Sequence, residues 1–180
     1  MRIDSFAIAA GDRHLRLHGR MSSNTRDTLY ADLRDVNLGY IFDLIKFDDV
    51  DFDGDATGTV RATGLTSSPK VEGRLSVRDF SFNHDVLGNL DLLAGWNTDE
   101  AQLNLDGHIT GDGVPSHTSF GNRVPVDTRI VGRVNPGKNN PRSGLDLDVQ
   151  AKGFSLGFLR EYTEDIFEDL NGAVSGHVRI

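Results

Sequence analysis

Apolar and polar residues alternate along most of the chain, and this two-residue period restricts the possible folds more than any other feature. Clear examples are HLRLH at 14–18, KVEGRLSVR at 70–78 and GLDLDV at 144–149. Successive side chains of a β-strand point to opposite faces, so each such segment has one apolar and one polar face. The sequence predicts a mainly β protein with about ten strands, at 2–9, 13–21, 27–36, 51–63, 70–83, 86–95, 100–110, 123–134, 143–154 and 172–180.

Two segments break this period and predict short amphipathic helices. The first follows Asn37 and the second follows Ser155, and both residues are favoured N-caps. Because their apolar sides also need cover, we expect these helices to plug or narrow the apolar side of the sheet. The predicted apolar positions are Leu38, Ile41, Phe42 and Ile45 in the first helix, and Leu156, Leu159, Ile166 and Phe167 in the second.

The helices belong to an internal repeat with a period of about 118 residues. A shift of 118 positions lays NLGYI at 37–41 on SLGFL at 155–159, and, without a gap, DFDGDATGTVR at 51–61 on DLNGAVSGHVR at 169–179. The second copy stops at Ile180. We therefore expect 1–180 to be one repeat-built segment of a longer protein, in which the end strands pair with neighbouring strands.

The run DFDGDATGTVRATGLTSSPKVEGRLSVRDFSF at 51–82 resembles the repeated phrase of the TamB and AsmA-like envelope proteins of Gram-negative bacteria. In that family, a glycine-punctuated strand leads through a short turn ending in proline into another alternating strand. The preceding DVNLGYI at 35–41 resembles the segment before each such phrase, and GFSLGFL at 153–159 repeats it. The same loose pattern of glycines and apolar residues extends over nearly the whole chain.

The resemblance implies an elongated sheet curled into an open groove, a β-taco, with an apolar inside and a polar outside. Full-length members are anchored in the inner membrane, cross the periplasm, and are associated with lipid transport and outer-membrane biogenesis beside a barrel partner of the TamA type. It thus implies a periplasmic segment that carries phospholipid acyl chains. This sequence shows neither the anchoring helix nor the region that meets the barrel partner, so we expect both in the parent protein.

The alternation also predicts which side chains line such a groove. An apolar side chain left in water costs about 1.5 to 3 kcal/mol, so something must cover this face. In a sandwich the cover is a second sheet, whereas in a trough it is the opposite wall and a lipid tail. The predicted lining residues are Leu15, Leu17, Val71, Leu75, Val77, Leu103, Leu105, Leu145 and Leu147.

Composition argues against several other functions. The 19 basic and 27 acidic residues give a formal charge of −8, which repels nucleic acid. The chain has no cysteine, so thiolate chemistry and disulfides are excluded. We find no nucleophile elbow, phosphate loop or dinucleotide fingerprint, and we predict neither an enzyme nor a cofactor.

Several alternatives rest on single motifs. Asp49 to Gly54 matches the opening of a calcium loop, but Val60 stands where a glutamate ligand is required. His14 and His18 should both face water on a strand, opposite the leucines. Trp96 suggests a sugar platform in a β-sandwich ligand-binding module. The main alternative is a scaffold for outer-membrane barrel assembly that acts through exposed strand edges, which are also candidates for self-association.

Overall fold

The computed structural model describes residues 2–20, 22, 24, 26–45, 51–64, 70–115, 123–135, 144–159 and 172–179. These residues form ten strands, one α-helix and one 3₁₀ turn. The strands are β1 (Arg2–Ala10), β2 (Arg13–Arg20), β3 (Thr28–Asn37), β4 (Phe52–Thr63), β5 (Lys70–Phe82), β6 (Asp85–Asn97), β7 (Gln102–Pro115), β8 (Arg123–Asn135), β9 (Gly144–Ser155) and β10 (Ala173–Arg179). The helix is α1 (Leu38–Ile45), and the 3₁₀ turn spans Gly157–Leu159.

The ten strands form a single antiparallel sheet in which each strand pairs with the next one along the chain, in the order β1 to β10. The described strands therefore make an open ribbon, and they do not stack as the two facing sheets of a sandwich. This confirms the predicted fold class, and each observed strand lies within a few residues of its predicted position. The two-residue period sufficed because successive side chains of a strand point to opposite faces of the sheet.

The two long sides of the ribbon differ. The odd-numbered strands β3, β5, β7 and β9 end at one side, which also carries α1 and the 3₁₀ turn, and we call it the helix edge. The even-numbered strands end at the other side, which we call the turn edge. Both segments that break the alternation therefore lie on the same side of the sheet.

Helix α1 begins where the sequence predicts. The backbone N–H of Tyr40 donates to the Asn37 side chain at 3.3 Å, so Asn37 caps the helix. Leu38 is buried and Ile41 packs against the main core, whereas Tyr40 points to solvent. Thus the helix covers apolar residues of the sheet at the helix edge.

Only the start of the second predicted helix lies within the described residues. There the N–H of Gly157 donates to the Ser155 hydroxyl at 3.2 Å, and a 3₁₀ turn follows. A Cβ on Gly157 would stand 2.7 Å from the Asp85 carboxylate, so this turn lies against the beginning of β6. Because β9 and β6 are three strands apart in the sheet, the contact shows that the ribbon curls at this edge.

Irregular backbone near the helix edge accompanies this curl. Asp35, Asp79, Gly113 and Gly153, on β3, β5, β7 and β9, all have positive φ angles between 50° and 76°. The pairing register shifts beside each of them, which is the signature of β-bulges. Bulges bend strands and increase their twist, so a series of them closes the sheet on its apolar side.

The core lies inside this bend. Val77, Ile109 and Thr128 lie in one line across β5, β7 and β8, with Leu90 of β6 between the first two, and each of the three is at most 1% exposed. A single sheet leaves one face open, so such burial requires cover from α1, the 3₁₀ turn and the bent strand ends. The buried apolar core consists of Leu33, Leu38, Ala56, Val77, Phe80, Leu87, Leu90, Ile109 and Val126.

Glycines allow the strands to approach one another. A Cβ on Gly19, Gly58 or Gly88 would overlap or crowd a backbone carbonyl oxygen of the next strand, and all three have φ angles between 130° and 151°. These glycines lie on β2, β4 and β6. On β8, a Cβ on Gly132 would overlap the Leu147 side chain of β9. Each of these even-numbered strands thus has a glycine where the following strand presses on it.

The two sequence copies share one backbone pairing. All six residue pairs between β9 and β10 are β3–β4 pairs moved by 118 positions, so that Val36 opposite Ala56 becomes Phe154 opposite Val174. One side-chain contact also recurs. The N–H of Asp35 donates to the Thr57 hydroxyl at 3.0 Å, and that of Gly153 donates to the Ser175 hydroxyl at 3.0 Å.

We predict that Gly58→Ala lowers the free energy of unfolding by about 1 to 3 kcal/mol, because its φ of 151° is strained for alanine and the new Cβ would overlap the Arg74 carbonyl. Urea denaturation followed by circular dichroism measures the change. Gly95→Ala is the matched control, since nothing lies within 4 Å of its Cβ position. Equal stability of the two variants would contradict the role given to Gly58.

Candidate functional site

Two rows of apolar residues and glycines run across the sheet on one face. In the central row, every residue faces its partner on the next strand, over all ten strands; its members are Ile8, Leu15, Leu33, Gly58, Leu75, Leu92, Gly107, Ile130, Val149 and Val178. The second row lies beside it, toward the turn edge; its members are Phe6, Leu17, Ala31, Val60, Gly73, Ala94, Leu105, Gly132 and Leu147. Neither row contains a polar side chain.

All nine predicted lining residues lie on this face. The central row holds Leu15 and Leu75, and the second row holds Leu17, Leu105 and Leu147. The remaining four are divided between the two sides of these rows: Val71, Leu103 and Leu145 lie toward the turn edge, and Val77 lies toward the helix edge.

The nine residues differ in how open they are to a ligand. Val77 is 1% exposed and belongs to the closed core, so it cannot line an open groove as predicted. Leu145 is 51% exposed, and the other seven are half-buried. Accessible apolar surface therefore lies over the middle of the sheet and toward the turn edge, away from α1.

Sequence reasoning missed several members of the rows. Leu92 and Ala94 on β6, and Ile130 on β8, face the same side as the predicted residues. The alternation of apolar and polar residues in β6 and β8 could have identified them. On β6, however, both Leu92 and Leu93 are apolar, so the sequence alone did not show which of the two belongs to this face.

Side chains of the second row are small in the middle of the sheet. On β3, β5 and β6 this row has Ala31, Gly73 and Ala94, whereas the central row has Leu33, Leu75 and Leu92. Toward the turn edge, Trp96 follows Ala94 on the same face. The difference in size leaves a furrow along the second row on β5 and β6, with larger apolar side chains on either side of it. On β4 the order is reversed, because Val60 stands in the second row and Gly58 in the central row.

The opposite face carries charged pairs between neighbouring strands. Arg61 lies 2.6 Å from Glu72, and Arg129 lies 2.8 Å from Asp106. His108 pairs with Asp127 at 2.8 Å, and this hydrogen bond is the largest influence that lowers the Asp127 pKa. All of these groups are solvent-exposed, so each pair contributes little to the stability of the fold. Their main consequence is a face that stays in water.

A cavity of about 1320 Å³ lies on this polar face. His18, Tyr30, Arg61, Glu72 and Arg133 are among the side chains that line it. Of the nine predicted lining residues, only Leu105 borders it. Second-row residues, among them Ala31, Gly73 and Ala94, also border this cavity, so it lies over the same strands as the second row.

The other predicted motifs have structural roles. His14 and His18 face the polar side, as predicted, and the His18 ring stacks on Tyr30 with the ring centroids 5.0 Å apart. The described part of the calcium-like motif runs into β4, where Asp55 pairs with Arg13 at 3.2 Å; Asp49 lies outside the described residues. Over the described ranges, no three acidic or histidine side chains are grouped to hold a metal ion.

Comparison with known proteins gives no relative. No protein family, curated protein or solved structure matches the chain. Among the helices that the structure describes, none is both long and apolar enough to span a bilayer.

We predict that Arg179→Gln raises the pKa of Asp146. Hydrogen bonds from the Arg179 guanidinium, at 3.2 Å, are the largest influence that holds this pKa below its ordinary value. The stabilising contribution of the pair is present above the unfolded-state pKa of about 3.9 and is lost as the pH falls through the folded-state value. Carboxyl-carbon NMR titration of both proteins measures the change, and an unaltered Asp146 titration would contradict the assignment.

Proposed function

We propose that the apolar face of this sheet binds lipid acyl chains, which lie across the strands along the furrow of the second row. The observation that carries the proposal is the continuity of the two apolar rows, which cross the sheet without a polar interruption. An acyl chain needs a long apolar path and no specific polar partner. The two rows supply such a path.

Energetics favour an apolar ligand on this face. Leu75, Leu92 and Leu105 are only partly covered, although Leu75 and Leu92 also pack against the buried core. Each methylene group that leaves water for such a surface contributes about 0.8 kcal/mol. Several methylenes in the furrow would therefore offset the cost of ordering the chain.

The same chemistry suits transport better than storage. Contacts with aliphatic side chains are non-directional, so one acyl chain can slide past successive leucines without breaking a hydrogen bond. The lipid headgroup would remain in water at the open turn edge. The charged pairs on the opposite face keep lipid from binding there.

A place for this activity follows from the resemblance of 51–82 to the TamB and AsmA-like repeat. On that basis we propose that the chain is a periplasmic segment of an inner-membrane-anchored protein. It would carry phospholipid toward the outer membrane and support outer-membrane biogenesis, with a TamA-type barrel as partner of the parent protein. The single open sheet and its one apolar face support this proposal.

Photo-crosslinking tests lipid binding on the apolar face. We expect benzoylphenylalanine at Leu75 or Leu105 to form adducts with phosphatidylethanolamine and phosphatidylglycerol, both in cells and with purified vesicles. The neighbouring positions Ser76 and Asn104 are the controls, because they lie on the polar face and should form few adducts. Adducts of equal yield from both faces, or none from either, would contradict the proposal.

Filling the furrow tests where on this face the chain lies. We expect Ala94→Phe to lower binding of a fluorescent fatty acid at least about tenfold, since the ring would occupy space for several methylenes. Gly95→Phe is the matched control: it places the same ring on the polar face, where nothing lies within 4 Å of a Cβ. Loss of binding in Gly95→Phe alone would instead assign the lipid to the polar-face cavity.

A second candidate is a scaffold for barrel assembly that acts through strand edges. The observation in its favour is the exposure of apolar residues on the two end strands, with Ile8 57% and Val178 54% exposed. Such edges can pair with another chain. Adducts to protein at β1 and β10, without lipid adducts at Leu75 and Leu105, would favour the scaffold.

A further inference from the structure

The outer edge of β10 has the form of an edge that is occupied elsewhere in this chain. In the first repeat copy, β4 lies between β3 and β5. In the second copy, β10 has the place of β4 and pairs with β9 in the same register. Among the described residues no strand lies on its other side, where β5 would stand.

Because β10 has a described strand on one side only, its residues are more exposed to solvent than their counterparts on β4. Ala56 on β4 is fully buried, whereas its counterpart Val174 on β10 is 41% exposed. Val60 is half-buried on the apolar face, and its counterpart Val178 is 54% exposed. Positions equivalent in the repeat are thus more exposed on β10, beside which the described residues place no further strand.

The glycines give the stronger evidence. A Cβ on Gly58 would overlap the Arg74 carbonyl oxygen of β5, so the approach of β5 requires glycine there. Its counterpart Gly176 has nothing within 4 Å and no positive φ, so the described structure places no demand on this residue. Gly54 and Gly172 both have a positive φ, but they differ in their surroundings: Val77 and Arg78 of β5 crowd the first, and the space beside the second is open.

We propose that the outer edge of β10 is a docking edge for an antiparallel strand with the alternation of β5, bound in the register that β5 uses on β4. Gly176 then serves the close approach of that strand, as Gly58 does on β4. The incoming strand would extend the central row by one member and cover Val174 and Val178. This inference does not depend on whether the furrow binds lipid.

The repeat fixes the register of docking. Thr59 of β4 lies opposite Arg74 of β5, and the counterpart of Thr59 is His177. A docked strand with the β5 sequence should therefore place its Arg74 position opposite His177. Directly opposed residues have Cα atoms about 4.5 to 5.5 Å apart, which a disulfide can bridge.

The test is disulfide trapping with a synthetic peptide of 70–82, and it is clean because the chain has no cysteine. We expect the His177→Cys protein to form an adduct with the Arg74→Cys peptide. The Ser76→Cys peptide should react at least about tenfold less, since the diagonal separation of about 7 to 8 Å exceeds the reach of a disulfide. Equal trapping of both peptides, or of neither, would overturn the proposal.

Two further variants distinguish docking at this edge from nonspecific peptide binding and from misfolding of the protein. Gly176→Val in the His177→Cys protein should lower trapping about tenfold or more, because its side chain would block the incoming carbonyl, while the urea midpoint of the protein stays unchanged. Ala9→Cys on β1 should not trap the Arg74→Cys peptide above the level of the Ser76→Cys peptide. Disulfide-linked dimers of the His177→Cys protein in place of the adduct would show that a second copy occupies the edge, and would overturn the proposal.

Discussion

Register between neighbouring strands is the constraint on which the rest of the structure depends. Leu33, Gly58 and Leu75 lie side by side on three strands only because each pair is aligned to the residue. A slip of one position would turn the apolar side chains of a strand to the polar face and its charged side chains to the apolar face. The charged pairs, such as Arg61 with Glu72, depend on the same alignment, so both faces favour one register.

A sheet of one layer has an apolar face that it cannot cover alone, and this chain covers only part of it. Bulges at Asp35 and Asp79 bend the strand ends, and α1 adds Leu38 and Ile41, so the helix edge has a closed core. Toward the turn edge there is no such device among the described residues, and Leu145 is largely exposed there. The asymmetry leaves a half-open apolar surface beside a rigid core, and this is the physical basis for proposing an apolar ligand.

The two-residue alternation of apolar and polar residues, together with the helix N-cap residue, made much of this structure predictable from the sequence. The ten strands, the start of α1 after Asn37 and the common face of the nine lining residues all follow from side-chain spacing. The burial of individual side chains could not be predicted from the sequence, because it depends on β-bulges that leave no recognisable sequence pattern. Asp35 and Asp79 adopt a left-handed backbone uncommon for aspartate, and the bends beside them place Val77 in the core while leaving Leu75 partly open. The polar-face cavity, too, depends on how the strands twist, which alternation does not encode.

Glycine placement shows how such a ribbon sets the spacing of its strands. In β2, β4 and β6, glycine removes the one carbon atom that would hold the next strand away, and the backbone carbonyl of that strand occupies the space. Each of these glycine contacts involves only neighbouring strands, so they act locally, as contacts between adjacent units do in repeat structures. Such a sheet has no built-in length, and its apolar rows lengthen with every strand that is added. For the acyl-chain binding proposed above, the number of strands therefore sets the length of the apolar path.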